Sequence, residues 1–150
     1  MSEVYFYHLV RQPLEAVLPR LLALSLDRGW RALVKAASPE RLAALDDHLW
    51  SFSEESFLPH GTTEEPDPGE QPVLLTLRDD NPNRAQALFL TDGAAMPDDV
   101  SGFERVALLL DGRDPDAVAA ARATWRAAAG AGHAVSYWRQ DDEGRWRKQA

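Results

Sequence analysis

The order of elements in this chain predicts an α/β fold: a three-layer α/β/α sandwich around a mainly parallel, Rossmann-like sheet in a single domain. Three observations predict it. Short apolar runs of strand length alternate with stretches whose leucines recur at helical spacing. Proline and glycine punctuate the helical stretches at their starts and stops. The runs at residues 73–77, 87–90 and 105–110 are apolar almost throughout, as strands buried on both faces are.

Residues 4–10 read as the first buried strand. Pro13 opens a helical segment in which Leu14, Val17, Leu18 and Leu21 share a face, and Gly29 closes it. Pro19 lies inside that pattern, where an interior proline costs ~3 kcal/mol or bends the helix. The segment reads as one kinked helix, with a start at Pro19 as the alternative. Residues 31–36 form the second strand. Ser38-Pro39-Glu40 follows as cap, first helical residue and dipole partner, and Leu42, Leu45 and Leu49 mark that helix's buried face. TTEEPDPGEQP reads as an exposed acidic loop. Asp111-Gly112 turns the chain, and Asp114-Pro115-Asp116 starts a helix expected to run to about Ala129, where Gly130 and Gly132 stop it. Residues 133–138 supply a last strand. The division expected is a domain over 1–140 and a polar tail over 141–150 that frays except around Trp146. There are no internal repeats.

A chain of 150 residues and 16.7 kDa buries roughly 70% of its unfolded surface, enough for a conventional core. The absence of cysteine excludes disulfides, thiolate metal sites and thiol catalysis, and suits a reducing compartment. The first residues show no basic segment followed by an apolar run, and no stretch approaches the ~20 apolar residues that cross a bilayer. The expectation is a cytoplasmic protein without a membrane role. Twenty-four acidic against sixteen basic residues give a net charge of −8, the wrong sign for a surface that grips phosphates, so little or no direct nucleic-acid binding is expected.

The sequence does not present the usual chemistry of an α/β enzyme. No P-loop G-x-x-x-x-G-K-[ST] is present, and the first strand leads into LVRQP rather than G-x-G-x-x-G. His8, His48, His60 and His133 contain no i, i+4 pair for a metal. Ser51, Ser53 and Ser56 lack the G-x-S-x-G elbow. Asp79, Asp80, Asp111 and Asp114 read as turn and cap residues. No cofactor or metal is expected, and His60 beside Pro59 is expected to order its loop through hydrogen bonds.

Two constellations remain. On the last helix Arg122, Trp125 and Arg126 stand at i, i+3 and i+4, so two guanidinium groups flank an indole on one face. That suits an anion attached to something flat, although packing of Trp125 into the core with ordinary solvated arginines is the competing reading. In LDDHLWSFSEESFLPH, a helix closes and Trp50, Phe52, Phe57, Leu58 and Pro59 follow in a segment too irregular to bury them all locally. Aromatics so placed mark a protein interface or a second small core.

Read together, LDDHLWSFSEESFLPH and ARATWRAAAGAGH resemble the chi subunit of the bacterial DNA polymerase III holoenzyme, whose members carry LW, then F, then PHG at this spacing. VYFYHL, GWRALV, QPVLLTL, NPNRAQALFLTDGA, FERVALLLDG and GHAVSYWRQ extend the likeness over nearly the whole chain. The resemblance implies the α/β fold and a non-catalytic adaptor in DNA replication. It implies a dock for the acidic C-terminal tail of single-stranded-DNA-binding protein at Arg122, Trp125 and Arg126, with Val118 where some relatives carry a basic residue. It also implies a surface for psi, the small subunit that links chi to the clamp loader, formed by Trp50, Phe52, Phe57, Leu58, Pro59 and His60. Polymerase activity would belong to the assembly. The alternative from another class is a small α/β enzyme, such as a nucleotide hydrolase lacking a P-loop, using His8 or Asp111.

Overall fold

The computed structural model describes residues 2–51 and 58–150. Its elements are β1 (Glu3–Leu9), α1 (Leu14–Asp27), β2 (Ala32–Lys35), α2 (Pro39–Ser51), β3 (Gly61–Thr62), β4 (Val73–Thr76), β5 (Ala87–Leu90), β6 (Arg105–Asp111), α3 (Pro115–Gly130), β7 (Ala134–Gln140) and β8 (Trp146–Lys148). One eight-stranded sheet runs in the order β3-β4-β2-β5-β6-β1-β7-β8. Every pairing is parallel except that of β7 with β8.

Local chemistry sets the helix starts. The Ser38 hydroxyl accepts from the Arg41 amide at 3.2 Å, and the Asp114 carboxylate accepts from the Asp116 amide at 3.0 Å, so donors without a helical partner are satisfied. α3 ends where Gly132 adopts φ +89°, a left-handed conformation that a side chain would penalise. Pro19 lies within a continuous α1.

The two faces of the sheet follow from alternation along each strand. Tyr7, Leu9, Val34, Leu75, Phe89 and Leu109 point to the layer of α1 and α2, where Leu18, Leu22, Leu45 and Leu49 meet them. Val4, Phe6, Leu33, Leu74, Leu88 and Val106 point to the α3 layer. Burying each such side chain contributes roughly 1.5–3 kcal/mol, which is what holds the three layers together.

Three features differ from the sequence expectation. The connections from β4 to β5 and from β5 to β6 contain no helix. The second instead buries Val100 and Phe103 against the α3-side core, and Ser2 Oγ lies 2.9 Å from the Val100 carbonyl and 2.7 Å from that of Phe103. Lys35 joins the two connections, its ammonium donating to Asp79 at 2.6 Å and to the Ala95 carbonyl at 2.7 Å. The acidic stretch expected to be only a loop starts with β3, which pairs with β4, and makes a short 3-10 turn at Pro68–Glu70. The tail, expected to fray except around Trp146, forms β8 against β7 over Trp146–Lys148 and sets Trp146 edge-on to Tyr7 with ring centres 5.0 Å apart.

Candidate functional site

Along α3, Arg122 and Arg126 are exposed and Trp125 and Val118 are half-buried. Trp125 is shared between the core and the surface. One side of its indole packs on Phe6 at 5.3 Å and edge-on to Tyr137 at 6.0 Å, while the residue as a whole stays half-exposed. Val118 leans on the same core cluster. Among the described residues neither Arg122 nor Arg126 has a carboxylate partner, so both guanidinium groups keep their donors available.

Strand β7 completes this surface with Tyr137 and Arg139, which alternation places on the face toward α3. The Tyr137 ring lies parallel to that of Phe6 at 6.1 Å, a contact that follows from the Phe6–Tyr137 register of β1 with β7. Its hydroxyl lies 2.6 Å from His8 Nδ1. Burial pushes the Tyr137 hydroxyl above its ordinary value, with the positive charges of Arg122 and Arg139 pulling it back. His8 is pushed down by burial and next by Arg139, against an opposing pull from Asp111. Its ring sits so close to the turn after β6 that a Cβ on Gly112 would lie 2.2 Å from His8 Nε2. Neither Tyr137 nor Arg139 stands out in the sequence. Their place depends on a strand register between residues 131 positions apart, and the only local signal is the period-two alternation of GHAVSYWRQ.

The strip thus offers Arg122 and Arg139 near the Tyr137 ring, with Trp125 beside it and Arg126 further along the same helix. Planar guanidinium forks match carboxylates, and half-exposed rings take an apolar or aromatic group.

At the second constellation, Trp50 in the last turn of α2 has 56% of its surface exposed, whereas Leu58 and His60 are each only 4% exposed. Pro59 is half-buried. His60 is the anchor here, as its ring nitrogens face backbone carbonyls: Nδ1 lies 2.8 Å from the Leu58 oxygen, and Nε2 lies 3.2 Å from that of Asp46 and 3.1 Å from the Asp46 carboxylate. Trp50 packs on the His60 ring with centres 4.2 Å apart. Phe52 and Phe57 lie outside the described residues. The described part is therefore an exposed indole on an imidazole pinned from below, with Leu58 serving the core.

At the carboxyl edge of the parallel strands a cavity of about 620 Å³ opens between the starts of α1 and α3. Ligands of open α/β sheets bind at this edge. Here, however, the helix starts that would attract phosphate carry the chain's own carboxylates, Glu15 on α1 and Asp114 and Asp116 on α3. Among the described residues no group of three or more His, Cys, Asp or Glu is placed to hold a metal ion, and no helix is long and apolar enough to cross a membrane.

Residues 1–136 match the family described as DNA polymerase III chi subunit, HolC. The chain is 25% identical to a probable DNA polymerase III subunit chi of Rickettsia prowazekii, over 74% of this chain and 71% of that one. It is 33% identical to DNA polymerase III subunit chi of Pseudomonas aeruginosa, over 61% of this chain and 62% of that one.

Proposed function

The chain belongs to the DNA polymerase III chi subunit family, and from that membership we propose that it is a non-catalytic accessory subunit of the replicative holoenzyme, holding the acidic C-terminal tail of single-stranded-DNA-binding protein at α3 and meeting psi through the Trp50 surface. The observation that carries the reading is the pair of guanidinium groups, Arg122 and Arg126, without a carboxylate partner among the described residues and on one helical face with a half-buried Trp125.

In this reading the terminal carboxylate of the tail accepts two hydrogen bonds from Arg122, and the terminal ring lies against Trp125 and Tyr137. Upstream acidic residues run past Arg126 and Arg139. The site is preformed, because Trp125 is braced by Phe6 and Tyr137, and Tyr137 by His8; little rotamer freedom remains to be lost on binding. Psi would take the exposed Trp50 with Pro59 and the neighbouring Phe52 and Phe57, bridging the tail to the clamp loader. No cofactor enters this scheme, and the cytoplasm is its setting.

The two residues that an enzyme reading needs are committed elsewhere. His8 is bonded to Tyr137 and backed by Gly112, and the Asp111 carboxylate accepts from the Arg113 amide at 3.0 Å within its turn. These engagements support the adaptor over the hydrolase.

The test is calorimetric titration with a synthetic acidic peptide ending in Asp-Phe. Saturable binding is expected with a free terminal carboxylate, and loss with either the amidated peptide or the Arg122→Ala protein. Equal binding of the free and amidated peptides would remove the reading.

A further inference from the structure

We propose that the cavity at the carboxyl edge of the sheet is a binding site for a small organic cation, an amine carried on an apolar body. It lies away from both surfaces described above. α3 separates it from the basic strip: Ala117, Ala120 and Thr124 line the cavity, while Val118, Arg122, Trp125 and Arg126 occupy the opposite flank of the helix.

Size and lining set the class of ligand. A volume of about 620 Å³ falls within the roughly 300–1,000 Å³ of small-molecule sites. Its interior is apolar, built by Leu9, Leu90, Met96, Leu108, Ala117 and Ala120, so the body of the ligand must be apolar to replace water there. Its walls come from the ends of three strands, β1, β5 and β6, and from both helix layers, so it is a feature of the scaffold.

The mouth sets the charge. Glu15, Asp92, Asp111, Asp114 and Asp116 surround it against two guanidinium groups. Arg41 is consumed by Glu15 and Asp92, each at 2.8 Å, and Arg113 stands 4.0 Å from Asp111. Asp114 and Asp116 have no cationic partner among the described residues. An anionic ligand would meet this excess, and a neutral one would gain nothing from it. A cation whose body fills the cavity leaves its head among the carboxylates.

The full chain, isotopically labelled, would be titrated with n-hexylamine, hexanol and hexanoate and followed by NMR. Hexylamine is expected to give saturable shifts confined to Met96, the end of β6 and the first half of α3, with hexanoate giving none and hexanol binding more weakly. Asp111→Asn with Asp116→Asn should weaken hexylamine by about threefold or more, the scale of exposed charge pairs. Ala120→Trp, at an exposed helical position on the cavity wall, should abolish binding while cooperative unfolding persists. Hexanoate or hexanol matching hexylamine, or no saturable shift with hexylamine, would overturn the proposal, as would undiminished binding to the Ala120→Trp protein.

Discussion

His48 Nε2 lies 2.6 Å from the backbone carbonyl oxygen of Glu15, the carbonyl that Pro19 leaves without its helical donor. In an α-helix the amide of residue 19 would bond to that oxygen, and proline has no amide hydrogen. A side chain from α2 supplies the bond from outside, which explains how α1 runs unbroken through an interior proline and ties the two helices of one layer together.

Removing the His48 imidazole while keeping Pro19 strands a carbonyl between two packed helices. His48→Ala is expected to cost about 1–2 kcal/mol. Pro19→Ala should recover part of that cost, because the new amide takes over the Glu15 oxygen. The two substitutions are therefore non-additive, with a coupling of at least about 0.5 kcal/mol in a double-mutant cycle of denaturant unfolding. Strict additivity would show that the bond carries no energy.

Acid should loosen the fold in two separate windows. His8 is held below its ordinary value near 6.5, first by burial and then by Arg139, so the unfolded chain takes up that proton at higher pH than the folded one. This stability is present above about pH 6.5 and is lost as pH falls through the folded value. Glu15 is held below its ordinary carboxylate value chiefly by its hydrogen bond to Arg41, so its contribution is lost only at lower pH, below about 4.5. Thermal unfolding between pH 7.5 and 5.5 should show a fall in Tm that shrinks in His8→Gln, while Arg41→Gln changes the profile below pH 4.5.

Trp146 belongs to the folded domain. Its ring packs on Tyr7 within the α1-side core, and β8 covers the edge of β7. Trp146→Ala is expected to cost about 1–2 kcal/mol, and the amides of β7 that bond to β8 should lose hydrogen-exchange protection. Unchanged Tm and unchanged exchange would return the tail to solvent.

Much of the fold is legible locally. Ser38-Pro39 and Asp114-Pro115 announce α2 and α3 because capping needs only neighbours, and the strands buried on both faces announce themselves by composition. β3 and β8 do not: two or three residues at a sheet edge are too few to carry a periodicity, and their pairing is decided by partners distant in sequence. The β5–β6 connection hides its role for the same reason, since Val100 and Phe103 are a lone apolar pair among polar residues and Gly102, too few to show a period. At the candidate site Arg122, Trp125 and Arg126 are legible as one helical face. Tyr137 and Arg139 reach that face only through the register of β1 with β7, and His8 only through a bond to Tyr137.

Stability and binding should separate on α3. Arg122 is exposed and has no carboxylate partner among the described residues, so Arg122→Ala should leave Tm nearly unchanged and reduce tail-peptide affinity by about tenfold or more, the scale of a lost charge-assisted bond. Trp125→Ala loses both, with about 2 kcal/mol of stability forfeited because the indole is only half-buried on Phe6 and Tyr137. Affinity should also fall steeply between 50 and 300 mM salt, as the ~10 Å screening length at 0.1 M shortens; an affinity indifferent to salt would argue against the arginines as its source.

Val118 provides a test in the direction of gain. It precedes Arg122 by one helical turn and so lies in line with it, but its side chain is half-buried against the α3-side core. Val118→Lys removes a branched apolar contact, which should cost about 1 kcal/mol, while a four-carbon stem can follow the same surface and deliver its ammonium to solvent beside Arg122. An acidic tail lying along α3 would then meet one more positive charge. The expected outcome is a lower Tm together with an affinity raised by about two- to fivefold at low salt, an advantage that disappears at high salt. If Val118→Lys leaves affinity for the free-carboxylate peptide unchanged at every salt concentration, the tail does not run along this part of α3, and the acidic residues upstream of its terminus must pass over Arg139 of β7 instead.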